Sequence, residues 1–299
     1  MTDNVYASLL HSISSKAEAE AIRENEIMGP DGLLHCKVCG KALEAVLHVK
    51  IADRVDEQRK VRCRCLCLTE AEKREQEKKA FEAHQERERR RRACFTVADK
   101  DGKKSVSPMI DWNFSRDDRQ RPELSDAMQQ YAKYFDENFE ESEGLLLYGD
   151  VGTGKTYMAA CIANAVIDQG YTARVATFGQ IGNEMQQTWE KQSYIDELCS
   201  HDLLIIDDLG AERKSEYMQE IVFNVIDTRC RAGGPLIVTT NLTADELSKP
   251  SEMGHKRIYD RILEKCTPIK VDGQSRRRKA AAKRWDAMRE KLGMEVPNQ

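Results

Sequence analysis

The sequence predicts an α/β domain built around a parallel sheet, preceded by a small cysteine-rich module and a charged helix. Apolar runs alternate with amphipathic segments from about residue 109 to residue 269, which is typical of strands and helices that form a parallel sheet. A glycine-rich phosphate-loop motif follows the first of these apolar runs. Five of the ten cysteines lie between Cys36 and Cys67. The chain therefore combines a nucleotide-binding domain with a candidate metal module.

Length and composition restrict the class of protein. The chain has 299 residues, 33% of them charged, and a formal net charge of −4, so any nucleic-acid contact must come from local basic patches. No apolar run approaches the roughly 18–20 residues that span a bilayer, and the N-terminus lacks a basic start and an apolar signal core. We predict a soluble, cytoplasmic protein without a membrane partner, whose cysteines are thiols or metal ligands and not disulfides.

Composition also divides the chain. We assign residues 1–95 to an N-terminal zinc-binding, partner-binding module, which ends in the charged segment "LTEAEKREQEKKAFEAHQERERRRRACF". Its mixed charges and its lack of Gly and Pro indicate a solvated helix. Residues 96–108, "TVADKDGKKSVSP", are typical of a linker. Residues 109–299 form the predicted nucleotide-binding domain.

Five apolar runs are the candidate strands of that domain. They are "GLLLYG", "ARVATF", "DLLIIDDL", "PLIVTTN" and a short "TPIKV". The helix after the first strand is expected to end near Gly170, a residue suited to a left-handed cap. The last residues, "SRRRKAAAKRWDAMREKLGMEVPNQ", indicate a basic helix with a frayed tail.

The segment "GDVGTGKT" fits the G-x-x-x-x-G-K-[ST] phosphate loop in full, with a strand before it and a helix after it. Glycines allow the backbone N–H groups to turn toward phosphates, and the helix N-terminus adds its positive dipole end. The lysine is expected to contact the β- and γ-phosphates, and the threonine hydroxyl to ligate Mg²⁺. The predicted nucleotide-binding residues are Gly149, Asp150, Val151, Gly152, Thr153, Gly154, Lys155, Thr156 and Tyr157.

Polar residues end the third and fourth strands. Asp207 and Asp208 follow four apolar residues in "DLLIIDDLG". We predict that Asp207 holds Mg²⁺ and that Asp208 orients the attacking water. Asn241 ends "PLIVTTN" and could bond the γ-phosphate or the water. A solvated acidic turn and an asparagine that starts a turn are the alternative interpretations.

These elements, in this order, resemble the AAA+ ATPases. The segments "LLIIDDLGAERKSEY", "VTTNLTADEL" and "KRIYDRI" are similar to those of replicative helicase loaders of the DnaC type from bacteria and phages, and of the related IstB-type transposition helpers. The resemblance extends from about Trp112 to Ala282. It implies an AAA+ fold and an ATPase that uses ATP and Mg²⁺.

The resemblance also assigns roles. Asp207 and Asp208 match the magnesium and catalytic acids, and an Asp where many relatives have Glu implies slow hydrolysis. Asn241 matches the γ-phosphate sensor. Arg261 in "YDRIL" matches the arginine finger that enters a neighbouring subunit's site, with Arg257 as the alternative one helical turn earlier. Arg277 in "GQSRRR" matches a second sensor, although Arg276 and Arg278 leave its register open.

The N-terminal cysteines form two groups with the spacing of a zinc site. "HCKVCG" is a two-thiolate knuckle, and "VRCRCLCL" supplies three more thiols. Zinc requires four ligands, so one of Cys36, Cys39, Cys63, Cys65 and Cys67 is spare. The favoured set is Cys36, Cys39, Cys63 and Cys65, with Cys67 as the close alternative. His35 or His48 as a ligand, an iron–sulfur cluster and free thiols remain open.

DNA contacts are expected in two segments. The segment "TFGQIGNEMQQTWEKQ" lies where this ATPase clade inserts an extra helix. Within it, Phe178 could stack on a base and Lys191 could bind a phosphate. Lys214, Ser215 and Tyr217 follow the magnesium strand at the same edge. Ordinary helix surface or core is the alternative for each of these five residues.

Three functions remain. The favoured one is an ATP-dependent loader of a replicative DNA helicase that binds single-stranded DNA, associates with itself through the arginine-finger interface and hydrolyses ATP slowly. The alternatives are an IstB-like transposition ATPase on duplex DNA and a nucleotide-binding adaptor that needs no hydrolysis. The cysteine module favours the loader over the transposition helper. Intact Lys155, Asp207, Asp208 and Asn241 argue against the adaptor.

Overall fold

A computed structural model describes residues 26–50, 56–63, 65–99, 101–212, 215–250 and 252–294. The described residues up to His84 belong to one compact unit, and those from Gln85 onward to a second. None of the helices in these ranges has the length and apolar composition that a membrane crossing requires.

The first unit contains two antiparallel hairpins and most of a long helix. Its elements are β1 (Glu26–Met28), β2 (Leu34–Cys36), β3 (Glu44–Lys50), β4 (Asp56–Arg62) and the start of α1 (Leu66–Cys94). Among the described residues of this unit, Leu34, Cys36, Leu43 and Cys65 form the buried apolar cluster. Such a small core is typical of a module that needs a metal or another staple.

The charged segment forms α1, as predicted. Its exposed face carries ion pairs between residues four apart, such as Lys79 with Glu75 at 2.7 Å, each of which contributes only a few tenths of a kcal/mol. Its last turns belong to the second unit, where Arg91 donates to Asn164 Oδ1 at 2.9 Å and Nη2 of Arg91 lies 2.6 Å from Asp168 Oδ1.

The predicted linker contains regular structure. Residues 96–108 include the hairpin of β5 (Thr96–Ala98) and β6 (Lys104–Val106). Cys94 and Phe95, immediately before it, are fully buried in a core of the second unit. The compact units therefore divide earlier, at His84, than the sequence predicted, because apolar residues at the end of α1 pack with the sheet domain.

The second unit is the expected AAA+ phosphate-loop domain with a five-stranded parallel sheet. The strands are β7 (Gly144–Tyr148), β8 (Ala173–Ala176), β9 (Leu203–Leu209), β10 (Leu236–Thr240) and β11 (Cys266–Lys270), in the spatial order β11-β7-β10-β9-β8. All five predicted strands are present. "ARVATF" ends earlier than predicted, because Thr177 caps the next helix.

Helices cover both faces of the sheet. They are α2 (Pro122–Lys133), α3 (Phe135–Glu141), α4 (Lys155–Asp168), α5 (Phe178–Gln187), α6 (Lys191–Cys199), α7 (Glu216–Ala232), α8 (Ala244–Ser248), α9 (Met253–Lys265) and α10 (Arg276–Lys291). Leu145 and Leu147 face one hydrophobic core and Leu146 faces the other. Both faces of the inner sheet are buried, so β7, β9 and β10 are apolar at most successive positions.

Helix α4 ends as the sequence predicted. The N–H of Tyr171 donates to Val166 O at 3.1 Å and that of Gly170 to Ile167 O at 3.0 Å. This is a Schellman cap, in which Gly170 takes a φ of 102°.

A buried arginine joins the amino ends of the strands. Arg229 of α7 is only 2% exposed, and burial lowers its pKa. Its guanidinium donates to four backbone carbonyls, those of Cys199, His201, Asp202 and Pro235, at 2.6–2.8 Å. These carbonyls lie at the end of α6 and before β9 and β10, so one side chain satisfies acceptors that helix and strand ends leave unpaired.

We expect Arg229→Leu to destabilise the protein by at least about 3 kcal/mol, because it leaves several buried carbonyls without a donor. Arg229→Lys, which retains a charge but cannot reach all four carbonyls, should give an intermediate loss. The exposed Arg231, with 74% of its side chain accessible, provides the matched control Arg231→Leu. Urea unfolding compares the variants, and equal midpoints for the two leucine variants would contradict the assigned role.

Candidate nucleotide and zinc sites

The phosphate loop connects β7 to α4 in a conformation that requires glycine. Gly149, Gly152 and Gly154 have φ values of 133°, 84° and 107°, in the region that side chains disfavour. The loop also packs tightly, since a Cβ at Gly152 would lie 2.2 Å from Ser275 Oγ. The loop is therefore held against the segment that follows β11.

Lys155, the first residue of α4, lies inside this loop. It is 6% exposed, and its ammonium donates to Gly149 O at 2.8 Å, Asp150 O at 2.7 Å and Asn241 Oδ1 at 2.8 Å. Burial lowers the pKa of Lys155, and the nearby charge of Asp208 opposes this shift. The ammonium thus joins the loop to the end of β10.

Thr156 and Asp207, the two predicted magnesium ligands, are in contact. The Thr156 hydroxyl donates to Asp207 Oδ1 at 2.8 Å, and the hydroxyl of Thr239 donates to the same oxygen at 2.6 Å. Burial raises the pKa of Asp207, while the hydrogen bonds from Thr239 and Thr156 lower it. A hydroxyl and a carboxylate beside a phosphate loop are the hard oxygen donors that Mg²⁺ prefers, so this pair fits the ion.

Asp208 turns away from its strand. Its φ is 63°, a left-handed conformation that Asp tolerates better than most residues. Its N–H donates to Thr239 Oγ1 at 2.9 Å, and its Oδ1 accepts from Asn241 Nδ2 at 2.7 Å. Asn241 also accepts from Lys155, so the three side chains form one continuous row.

Thr239 is a site residue that the sequence analysis missed. It bonds both the carboxylate of Asp207 and the backbone of Asp208. A signal was available, because Thr239 lies two residues before Asn241, and residues two apart share one side of a strand.

The sensor arginines occupy different surroundings. Arg276 pairs with Asp117 at 3.4 Å and with Asp118 at 3.2 Å. Arg277 is exposed, and its charge contributes to lowering the pKa values of both Lys155 and Asp207. Arg278 lines a cleft beside Asp150 and Val151. The guanidinium of Arg276 also lies beside the loop, 3.7 Å from where a Cβ at Gly154 would be, so Arg277 as the sensor stays a prediction.

The two candidate fingers lie on α9. Nε of Arg261 is 3.3 Å from Asp227 Oδ1, and its Nη1 is 2.9 Å from Glu264 Oε2. Arg257 is exposed and has no ion pair or hydrogen bond with another described residue. Neither arginine contacts the Lys155–Asn241–Asp208 row within the described chain, and action on another subunit stays a prediction.

The prediction that Phe178 stacks on DNA is wrong. Phe178 is 2% exposed and belongs to a hydrophobic core. Thr177 caps α5 with a hydrogen bond from the N–H of Gln180 at 3.2 Å. The helix therefore begins at Phe178, with this side chain directed into the core.

The other DNA candidates differ in their accessibility. Nζ of Lys191 lies 5.3 Å from the ring centre of Tyr217, whose exposed fraction is 39%. Ser215 caps α7 by accepting from the N–H of Met218 at 3.2 Å, and Lys214 lies outside the described residues. Trp189, which the sequence analysis did not select, is 100% exposed two residues before Lys191.

Four cysteine thiols converge in the first unit. The Sγ atoms of Cys36, Cys39, Cys65 and Cys67 all lie within 4.8 Å of one another. A tetrahedral zinc site with Zn–S bonds of about 2.3 Å has sulfur atoms about 3.8 Å apart, so this set of donors fits the ion. The N–H groups of Cys39 and Val38 lower the pKa of the Cys36 thiol to about 7, which favours the thiolate that a metal binds.

The favoured zinc set was wrong in one ligand, because Cys67 replaces Cys63. The N–H of Cys63 donates to Leu43 O at 2.7 Å, which continues the β4 strand, and its thiol is exposed. Cys67 lies in the first turn of α1 and joins the other thiols there. His35 is also excluded as a ligand of this set, since its ring bonds Asp31 and Gly40 O, each at 2.9 Å.

Curated proteins with similar sequences include two helicase loaders. Two similar curated proteins are the replicative helicase loader DnaI of Bacillus subtilis (strain 168) and the replicative helicase loader DnaC of Escherichia coli (strain K12). The first is 30% identical over 178 residues, 53% of this chain and 57% of DnaI. The second is 28% identical over 138 residues, 44% of this chain and 54% of DnaC. The chain thus spans little more than half the length of these relatives.

Two solved structures are similar to part of the chain at lower identity. The crystal structure of DnaI matches with a TM-score of 0.48 and 24% identity, over 56% of this chain and 92% of that chain. The crystal structure of the DnaC helicase loader matches with a TM-score of 0.48 and 19% identity, over 56% of this chain and 100% of that chain.

The family evidence covers most of the chain. The model of the family described as IstB-like ATP binding protein matches residues 75–284. This range includes the phosphate loop, the Asp207–Thr156 pair, the Asn241 row and the arginines of α9. The chain therefore belongs to the family of IstB-like ATP binding proteins.

Proposed function

We propose that this protein is an ATP-dependent loader of a replicative DNA helicase. The observation that carries the proposal is the row Lys155–Asn241–Asp208 beside the Thr156–Asp207 pair, in a chain of the IstB-like family. Relatives named replicative helicase loaders support the choice of partner. The nucleotide controls assembly and release, and water is the only phosphoryl acceptor.

The chemistry follows from the side chains. Lys155 and the loop N–H groups bind the phosphates of ATP, and Mg²⁺ on Thr156 and Asp207 would neutralise charge on the β- and γ-oxygens. Asn241 contacts the γ-phosphate, and Asp208 accepts a proton from the attacking water or orients it. Asp208 is short and already bonded to Asn241. Hydrolysis is therefore slow, as suits a switch between bound and released states.

The partner contacts divide between the two units in this proposal. The first unit, which ends at His84 and has the cysteine cluster as a structural zinc site, binds the helicase. Trp189, Lys191 and Tyr217 bind single-stranded DNA, since exposed aromatic rings stack on bases and a nearby ammonium attracts the backbone. Copies of the chain associate so that Arg261 of one subunit reaches the nucleotide of the next.

A transposition helper that acts on duplex DNA is the second candidate. The observation that favours it is the match to a family named for IstB. The two candidates differ in their DNA, because a loader must hold a single strand.

The function is tested by helicase transfer. Wild-type protein with ATP should transfer the replicative helicase of its own genome onto a closed single-stranded DNA circle, measured by helicase retained on the circle after gel filtration. Lys155→Ala should bind a fluorescent ATP analogue at least about tenfold more weakly and support no transfer, because the charge on the phosphates is lost. It should still capture the helicase in a pull-down.

The exposed Lys133 gives the matched control Lys133→Ala, which should behave as wild type. Transfer by Lys155→Ala at the wild-type rate, or no helicase capture by the wild-type chain, would rule out the proposed loader.

The proposed zinc site predicts opposite effects of substituting Cys63 and Cys67. Purified protein should contain one zinc per chain, and Cys67→Ser should lose most of it, because three thiolates hold the ion more weakly than four. Cys63→Ser should retain zinc. Metal analysis by mass spectrometry measures both variants, and equal zinc content in the two would show that the set of four is wrong.

The DNA contact is tested with two exposed tryptophans. Trp189→Ala should weaken binding of a fluorescent oligo(dT) by roughly fivefold to 100-fold at fixed salt, since stacking on a base contributes about 1–3 kcal/mol. Trp285→Ala, on α10 with Trp285 63% exposed, is the control and should leave binding unchanged. Tighter binding of duplex than of single strands would favour the transposition helper instead.

A further inference from the structure

A buried carboxylate lies under the arginines of α7 and α9. Asp227 of α7 is 7% exposed. Its Oδ2 is 2.7 Å from Nη2 of Arg231, and its Oδ1 is 3.3 Å from Nε of Arg261. The second contact is an ion pair in which Oδ1 accepts no hydrogen bond within the described residues.

The burial of Asp227 is unusual for its position. Apart from Arg229, the other buried residues of α7 are apolar, among them Val225 and Ile226, and a buried carboxylate costs free energy unless it is paired. An ion pair with Arg231 alone would not require burial, because Arg231 is four residues later on the same helix and 74% exposed. The contact that burial makes possible is the one with Arg261 of the neighbouring helix.

Two carboxylates bind two of the three nitrogens of the Arg261 guanidinium. Asp227 is paired with Nε, and Glu264 accepts from Nη1 at 2.9 Å. Nη2 makes no hydrogen bond or ion pair within the described ranges, and 40% of the side chain is exposed. Arginine presents five N–H donors, so those not engaged by the two carboxylates remain available for a phosphate.

Arg257, one turn earlier on α9, is exposed and without a partner among the described residues. A free arginine loses rotamer freedom when a contact fixes it, whereas Arg261 is already restrained by Asp227 and Glu264. The structure thus distinguishes two arginines that the sequence left as alternatives.

We propose that Asp227 is a positioning residue, which fixes the guanidinium of Arg261 for contact with the γ-phosphate bound by an adjacent copy of this chain. The inference rests on the proposed function, in which Arg261 acts between subunits. Asp227 does not touch the nucleotide. Its effect on hydrolysis passes through Arg261 alone.

The first test compares steady-state ATP hydrolysis of the full chain at a concentration where wild-type activity per subunit no longer rises. Asp227→Asn retains the shape of the side chain and removes its charge. It should lower kcat on the order of tenfold to 100-fold, the size of effect that a misplaced catalytic group produces. The KM for ATP should stay within about a factor of two, because the variant's own phosphate loop is intact.

Arg231→Ala is the matched control, since Arg231 contacts the same carboxylate. It should leave kcat unchanged. An equal loss in Arg231→Ala and Asp227→Asn would overturn the proposal, because Asp227 would then act through the α7 pair or through the stability of the helix.

Mixed assemblies provide a readout that a purely structural role would not change. Lys155→Ala subunits cannot bind ATP tightly but carry an intact Arg261 and Asp227. Added in excess to Asp227→Asn subunits, they should restore hydrolysis at the variant's own ATP sites to near the wild-type rate per site. If they restore nothing while they do restore Arg261→Ala, the defect of Asp227→Asn lies in its own subunit and the proposal is wrong.

The results for the Arg261→Ala and Asp227→Asn variants show whether the role of Asp227 fails or the arginine-finger assignment itself fails. If Arg261→Ala alone hydrolyses ATP normally, no finger role exists for Asp227 to support, and both the finger assignment and the inference are overturned. If Arg261→Ala is impaired and rescued but Asp227→Asn has wild-type kcat, the finger assignment stands and only the role of Asp227 is overturned.

Discussion

The hydrogen bond between the buried ammonium of Lys155 and the amide of Asn241 is the contact on which the candidate site depends. Lys155 begins α4 and Asn241 follows β10, so this 2.8 Å bond joins two elements that are far apart along the chain. Asn241 in turn bonds the carboxylate of Asp208, next to the last residue of β9. Three strand ends are thereby held together at one edge of the sheet, which is where parallel sheets present their ligand sites.

The opposite edge of the sheet is held by a different interaction. Arg229 donates to four carbonyls at the amino ends of the strands. A buried guanidinium thus holds the amino ends of the strands, and the Lys155–Asn241–Asp208 row holds their carboxyl ends. Between these ends, apolar side chains of the sheet pack into a hydrophobic core on each face. A rigid sheet allows the short Asp208 side chain to stay within reach of Asn241, although its backbone adopts a left-handed conformation.

At the surface, carboxylates of α7 and α9 restrain an arginine in a similar way. Asp227 and Glu264 restrain Arg261, while Arg257 stays unrestrained among the described residues. In the proposed assembly one subunit would therefore present a prepared arginine to another subunit's ATP. The nucleotide site and the subunit interface would be two parts of one active site, so hydrolysis would depend on assembly.

The strands of the sheet, the phosphate loop and the Schellman end of α4 could be predicted from the sequence, because apolar periodicity, glycine placement and loop spacing are local properties. The sequence also indicated that the cysteines form a metal site. Only the tertiary structure showed that the thiols of Cys36, Cys39, Cys65 and Cys67 converge, while the N–H of Cys63 bonds Leu43 O. It likewise placed Phe178 in the core and Trp189 in solvent, and it showed that Arg261 is paired with Asp227 and Glu264. Each of these choices depends on a partner distant along the chain or on burial against another helix, and spacing within a motif carries no information about either.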